Sequence, residues 1–500
     1  MTFSLSRLQD VYPTISQAML AAWEAQGKTV AKVRKYYDGD HDASYLTTEM
    51  KKLLRLTDSS SIPFAANYCR VIVNTFVDRL NVTGIRTDDE TTNQWIADLL
   101  IDNRFDAMQT QVHEASILDG DSYLMVSYDS KAQRAVMTHE YAWDGTSGML
   151  ALYRSRSERV MECAIKIWEL DQGNEDVLTR VNLYYPDHIE RYACLNNGNL
   201  EPYAAAGLPA AEVWINQRTG EPIGIPVVHF RNGGRYNTGV SEIGGAIPIQ
   251  DAHNRTWYSL VLASEYTGFS VLFALGFDPG ADLRPGSMVT ALVNGEPPDN
   301  TMQIDLRRIE AGSCAELLNV AQYEEGVMGR ITRTPSPEFI SPVASGEARK
   351  QAEVGLVGKV KRFQVNAGNG WEDAVKLAAQ VQTAYGQETA PEFERLTTQW
   401  QNPELRNDVE VVDNTVKTAP FVDKQTTLEG FAPVFSWDSD KIAEIMERIE
   451  DEQAQQTENA LAQMPNFNRF DDQFADNGQA RGNGAQPMMQ RANGGVSRNE

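Results

Sequence analysis

The residues that come nearest to carrying chemistry are Gly355, Gly358 and Lys359. In a phosphate-binding loop, glycines let backbone N–H groups close on the phosphates, a lysine follows, and a Ser or Thr hydroxyl binds magnesium. Here Glu353 holds the first glycine position and Val360 the hydroxyl position, inside a helical pattern. These glycines therefore read as sites of close helix packing. His113-Glu114 begins like a zinc-protease helix, but Ile117 stands where the second histidine must sit. Asp38, Asp40 and Asp42 alternate like calcium ligands, yet Gly39 is misplaced and no closing Glu fits, so a solvated turn is the reading. The cysteines, Cys69, Cys163, Cys194 and Cys314, lie far apart with no C-x-x-C pair and read as reduced, mostly buried thiols. The scattered histidines join no nucleophile motif. The chain is not expected to be an enzyme, and no catalytic residue, metal or cofactor is assigned. Arg349, Lys350, Lys359, Lys361 and Arg362 cluster on one predicted helix. They form either a solvated face or a basic surface toward DNA or a neighbouring subunit.

Composition narrows the class. Hydrophobic residues make up 42% and charged residues 23% of 500, which fits a folded chain of more than one domain. No run of about 18 apolar residues is present, so no membrane span is expected. No targeting segment is read at the amino terminus, where Met19 to Trp23 is a short apolar stretch interrupted by Glu24. The net charge of −24 argues against a protein that grips DNA, but not against a wall along which DNA slides.

The elements that would position these residues follow from periodicity. Residues 5 to 36 read as helical, with Gly27 as a break, and a turn follows at Tyr37 to His41. Residues 67 to 80 form a compact helix with Val73, Phe76, Val77 and Leu80 on one face, and another helix runs from about 91 to 117. From 121 to about 231 short β-branched and aromatic runs read as strands: 123–128, 150–153, 164–168, 178–184 and 227–230. The fold class is α+β. A helix at 247–267, roughly 30 Å long, precedes a Gly- and Pro-punctuated stretch with strands at 288–293 and 301–306. A second helix begins at a capping box, Ser313 to Glu316, and ends at Thr334-Pro335. Pro335, Pro337 and Pro342 then exclude regular helix. A long helix starts near Ser345; Asn366 to Gly370 interrupt it and Asn369 with Glu372 restart it, so the whole reads as one long helix with a glycine-rich kink. Residues 381 to 463 carry 17 acidic and 6 basic side chains, and Ile442, Ile445, Met446 and Ile449 mark a late amphipathic helix with an acidic outer face. Residues 465 to 500, rich in Gly, Asn and Gln, read as a disordered tail.

This order of elements resembles one family, the portal proteins of tailed bacteriophages. Tyr36 to His41 resembles the family's early tyrosine-glycine motif. Asn67 through Arg79 to Ile85 resembles its next segment. Trp95, Asn103 and Asp119-Gly120-Asp121-Ser122-Tyr123 resemble the block after that. Pro226 to Phe230 through Ser241-Glu242-Ile243, and Ile331 to Pro335 with Ser345 to Ala348, continue in order. The match covers roughly residues 30 to 385, and is closest to portals of long-tailed phages, those infecting actinobacteria among them.

The resemblance implies a wing over 1–246, a first stem helix over 247–267, a clip over 268–312, a second stem helix over 313–333, a tunnel loop over 334–344, a long kinked wing helix over 345–385, and the rest of the wing with a helical crown over 386–464. It implies a homo-oligomeric ring, a dodecamer, at one capsid vertex of the virion, made in the host bacterial cytoplasm. Double-stranded DNA would pass through the ring during packaging and ejection. The partners it implies are the terminase large subunit, a head-tail adaptor, and the major capsid and scaffolding proteins. Arg333, Thr334, Pro335, Ser336, Pro337, Glu338, Phe339 and Ser341 would line the tunnel; Met288, Val289, Leu292, Met302 and Ile304 would serve clip docking. Another virion structural, adaptor or scaffolding protein is the alternative. A packaging ATPase would need the phosphate loop that is missing.

Overall fold

The computed structural model describes residues 3–463 apart from 44–45, 55–56, 58–64, 155–159, 174–175, 205–206, 235–236, 269–270, 276–287, 292–304, 310–313, 335–345, 405–407, 436 and 438. The chain divides into two compact units, Met1–Glu404 and Leu405–Glu500. Helix and sheet are mixed throughout the first, in keeping with an α+β class.

The first unit opens with α1 (Leu8–Val11), α2 (Gln17–Asp38), α3 (Thr48–Leu54) and α4 (Tyr68–Val77). The strand β1 (Val82–Arg86) and helices α5 (Glu90–Asp102) and α6 (Phe105–Asp119) follow. Ser16 caps α2 through Met19 N, and Asn67 caps α4 through Arg70 N. Gly39 closes α2 in the left-handed conformation at φ 86°, with Gly39 N on Tyr36 O and Asp40 N on Lys35 O. Gly27 does not break α2. A Cβ there would lie 2.8 Å from Gly145 N and 2.9 Å from the Trp143 ring, so the glycine admits a neighbouring loop to the helix surface. The helix expected over 91–117 is two, turned at Arg104 (φ 50°).

Among the described residues nine strands come next: β2 (Asp121–Asp129), β3 (Arg134–Tyr141), β4 (Gly148–Tyr153), β5 (Met161–Gly173), β6 (Asp176–Tyr184), β7 (His188–Leu195), β8 (Glu201–Pro202), β9 (Ala211–Val213) and β10 (Val227–Arg231). They form an antiparallel sheet β10-β2-β3 and a larger one in the order β4-β5-β6-β7-β8, with β9 also on β7. Ile165 and Ile167 of β5, and Val181 and Leu183 of β6, alternate into a second core closed by Phe3, Leu5, Leu8, Leu20 and Trp23.

Helix α7 (Ile247–Gly268) then leads to β11 (Val271–Leu275), β12 (Met288–Ala291) and β13 (Asp305–Ile309), and α8 (Ala315–Thr332) returns beside α7. The long α9 (Gly346–Tyr385) and β14 (Thr397–Trp400), antiparallel to β1, complete the unit. The expected capping box at 313–316 falls partly outside the described residues, at the start of α8. The N-cap is Cys314, which makes no side-chain cap bond, and Ser313 lies outside the described residues. The one long helix expected from near Ser345 is α9, which is helical throughout 366–370. A Cβ on Gly370 would lie 2.7 Å from the Phe230 ring, and one on Gly368 3.4 Å from Trp400 Nε1. Gly370 thus lets β10 approach the helix, whereas a Cβ at Gly368 would make only ordinary contact with β14, and the helix runs on through both. Around that approach Trp371, Phe76, Phe230 and Phe363 form the main core.

The second unit holds α10 (Asp408–Thr418), α11 (Lys424–Phe435) and α12 (Ser439–Gln463). In α12 Ile442, Ile445, Met446 and Ile449 are half-buried, while the Glu and Asp residues from Glu444 to Glu452 are exposed. The tail beyond 463 lies outside the described residues.

Candidate functional site: the paired helices and the cleft at their end

The sequence words that carry the family resemblance meet around the root of α7. Asn67 Nδ2 donates to Tyr37 O at 2.8 Å, joining the tyrosine-glycine turn to the start of α4. Tyr36 Oη donates to Asp251 at 2.5 Å. His41 sits fully buried between Tyr36 O, 3.1 Å from Nε2, and the Asn254 amide, 2.9 Å from Nδ1. Gln250 binds Ala66 O, Asn254 and Tyr68 N. The residues Gln250, His253 and Asn254 are buried polar groups, and the sequence reading missed them. Their spacing of three and four places them on one helix face, which is the signal that was there to find.

One turn along, His253 ties α7 to α8. Trp257 Nε1 donates to its Nε2 at 2.5 Å. Its Nδ1 stands 3.5 Å from Glu324, and Nε2 is 3.8 Å from Glu325; Tyr68 Oη donates to Glu325 at 2.8 Å. Burial holds the imidazole neutral, with its pKa pushed down to about 4. Burial also raises Glu324, which accepts from Thr256 at 3.1 Å.

The Asp119 to Tyr123 word forms a second knot. Arg34 of α2 binds Asp119 through two nitrogens, at 2.8 and 3.1 Å, and also reaches Asp144 at 2.9 Å and Ala142 O at 3.1 Å. Burial pushes the Asp119 carboxyl up to about 6 against the pull of this guanidinium. Asp121 accepts from Gly239 N and Gln26 Nε2, both at 2.8 Å, and pairs with His229, which accepts from Tyr153 Oη at 2.7 Å. Every one of these groups is satisfied locally, so the word is architectural.

Arg333 and Thr334 end α8. Arg333 is left-handed at φ 55° and exposed, while Thr334 is buried with its N–H on Gly329 O at 3.0 Å. Lys359 of α9 donates to Thr332 O at 2.7 Å and pairs with Glu242. Lys361 pairs with Glu404 at 3.0 Å. The basic cluster expected on α9 is thus partly neutralised. Pro335, Ser336, Pro337, Glu338, Phe339 and Ser341 lie outside the described residues, as do Leu292, Met302 and Ile304. Met288 and Val289 begin β12, opposite Leu272 and Phe273 of β11 in a parallel pair, and β13 pairs antiparallel with the other edge of β11. The sequence reading missed β11, and placed β13 four residues early. The two expected strands flank it. Among the described residues no group of three or more His, Cys, Asp or Glu side chains could hold a metal, and no helix is long and apolar enough to cross a membrane.

The family model described as phage portal protein, SPP1 Gp6-like, matches residues 17–459. Among curated proteins the chain is 24% identical over 426 residues to a portal protein of Mycobacterium phage L5, covering 78% of each chain. It is 23% identical over 420 residues to a portal protein of Mycobacterium phage D29, covering 77% of this chain and 78% of the relative.

Proposed function

Because the chain belongs to the phage portal protein family, SPP1 Gp6-like, we propose that it forms the closed ring at one capsid vertex through which double-stranded DNA is packaged and ejected. The observation that carries this is the family match across residues 17–459, which includes every paired helix and sheet described above. In this reading α7 and α8 are the stem, residues 268 to 312 the clip, and 334 to 344 the tunnel loop. Residues 345 to 385 belong to the wing and the last helices to the crown. The ring is a dodecamer of heterologous contacts that return on themselves. It is made in the host cytoplasm against scaffolding and major capsid proteins.

The physics supports a sliding wall. Twelve copies at −24 each amount to −288, and a surface repelling phosphate avoids the counterion-release affinity that would stall DNA. Arg333 to Ser341 would then give brief, sequence-independent contacts. The outer edges of β12 and β13, which pair with no further strand among the described residues, support a docking role, since unpaired strand edges invite a partner; Met288, Val289, Leu292, Met302 and Ile304 would meet the terminase large subunit first and the head-tail adaptor later.

Negative-stain images of the purified chain test the reading. Annular particles with a central channel are expected. Only monomers and dimers, with scaffolding protein present as well as absent, would sink it. Deleting residues 286 to 304 leaves the β11–β13 pair and is expected to abolish adaptor pull-down while rings persist.

A further inference from the structure

At the C-terminal end of α8, three cations, Arg333, Lys359 and Arg362, share a cleft of about 360 Å³ whose lining includes Phe76 and Phe363. The single carboxylate among them is Glu242, and it is taken up by Lys359, whose ammonium also holds Thr332 O. Among the described residues Arg362 uses only Nε, on Gly358 O at 3.4 Å. Arg333 makes no ion pair with any described residue. The cleft therefore keeps two guanidiniums with open donors beside a fixed ammonium, in a chain where acids outnumber bases 69 to 45.

Arg333 is held in place at some conformational cost. It occupies the left-handed C-cap at φ 55°, where glycine is the usual residue. Its aliphatic stem lies against Gly355 of α9, where a Cβ would come 3.5 Å from Arg333 Cβ. The faint resemblance of 355–360 to a phosphate loop thus ends in a different device. The glycine seats an arginine, and the lysine caps a helix.

We infer that this cleft binds a phosphate group, and, resting on the portal reading, that the group is a backbone phosphate of DNA. Two planar guanidinium forks and an ammonium converge from α8 and α9. Such a donor set matches the several acceptor oxygens of a phosphate. Neither arginine is buried, so the contact is weak and readily released. DNA in motion needs contacts of that kind.

The test uses the full chain in its assembled form, with two probes: inorganic phosphate in thermal melts, and a short mixed-sequence duplex in fluorescence anisotropy across a potassium chloride series. The variants are Arg362→Ala, Arg333→Gly and the pair combined. Arg333→Gly puts the favoured residue at a left-handed position, so its fold is expected to persist, and melting without phosphate checks this. Each single variant is expected to weaken duplex binding about ten-fold at low salt, and to lower the slope of log K against log salt by about 0.9. Inorganic phosphate should raise the melting temperature of the parent chain and not of the double variant.

Unchanged duplex affinity and slope in the double variant overturn the DNA assignment. Phosphate protection without any effect on the duplex does so too, and leaves free phosphate as the ligand. A double variant that melts normally but no longer forms rings overturns the phosphate reading and assigns the cleft to a carboxylate of a second copy. If the chain forms no rings under any condition while the variants still lose duplex binding, the portal reading fails and the cleft stands.

Discussion

Arg34 and the pair Arg333 and Arg362 put the same side chain to opposite uses. Arg34 is enclosed by Asp119, Asp144 and Ala142 O, and one of those carboxylates is itself almost fully buried. Arg333 and Arg362 stand exposed at a helix end without an acidic partner among the described residues. An arginine saturated by its own chain holds architecture together. One with open donors waits for something outside the chain. Charge alone does not mark function in this molecule; the balance of donors and acceptors around each charge does.

The largest expected effect breaks the saturated side. Arg34→Met leaves the Asp119 carboxylate buried without its cation, and removing one partner of a buried pair costs about 3–5 kcal/mol. Urea unfolding should show that loss at pH 8. Because the Asp119 carboxyl lies at about 6 even beside Arg34, it takes up a proton once the cation is gone, and the loss should shrink at pH 5. A variant as stable as the parent at pH 8 would erase the distinction between the two arginine sites.

His253 stands between the two extremes, since it is buried but its Nδ1 and the facing Glu324 Oε2 lack hydrogen-bond partners among the described residues. Its pKa falls from 6.5 in the unfolded chain to about 4 in the folded one. The unfolded state therefore binds the proton first. The contribution of neutral His253 is complete above pH 6.5 and is lost as pH falls toward 4. Between pH 7 and pH 5 this removes about 2 kcal/mol. The groups facing the ring are Glu324 and Glu325 of α8, Tyr68 of α4 and Trp257 of its own helix. His253→Gln should flatten the acid limb of the stability profile by that amount. An unchanged limb would place the acid sensitivity elsewhere, for instance at His113, held neutral at about 3 by complete burial.

Much of the helical framework was legible from periodicity. The helix expected over 247–267 corresponds to α7 at Ile247–Gly268, and the half-buried isoleucines of α12 were read directly. Strands β3 and β7 were missed. Arg134–Tyr141 and His188–Leu195 mix charged residues and histidine with apolar ones, and their pairing with β2 and β6 decides them more than local propensity does. Arg333 was singled out in the sequence, but the cleft it lines was not. Arg333 and Lys359 are 26 positions apart, and only the return of α9 past the end of α8 brings them together. Glycine misled in the other direction. Gly27 read as a break, and Gly368 and Gly370 as a kink, because propensity penalises glycine, whereas Gly27 and Gly370 sit where another element needs the space.

Gly370 turns that lesson into a measurement. Gly370→Ala drives a methyl into the Phe230 ring, itself 1% exposed. Overpacking costs about 1–3 kcal/mol, and the better helix propensity of alanine offsets about 1 of it. A net loss of up to about 2 kcal/mol is expected in denaturant unfolding. No loss at all would mean that the ring yields, and that the close approach of β10 is not what the glycine serves.

Gly358 lies twelve residues earlier on the same helix, and is expected to behave in the opposite sense. A Cβ built there meets nothing within 4 Å, and the residue is exposed together with Val354, Lys361 and Val365 along one face of α9. With no neighbour to displace, Gly358→Ala should gain helix propensity alone, about 0.5–1 kcal/mol. The gain should appear in unfolding of the unassembled chain, as a higher midpoint at unchanged denaturant dependence. Measured alongside ring formation, the same substitution separates two kinds of empty space. If the chain is stabilised and still assembles, the face of α9 around Gly358 is solvated. If it is stabilised but assembly fails, the space belongs to another copy, and this glycine, like Gly370, was serving a close approach all along.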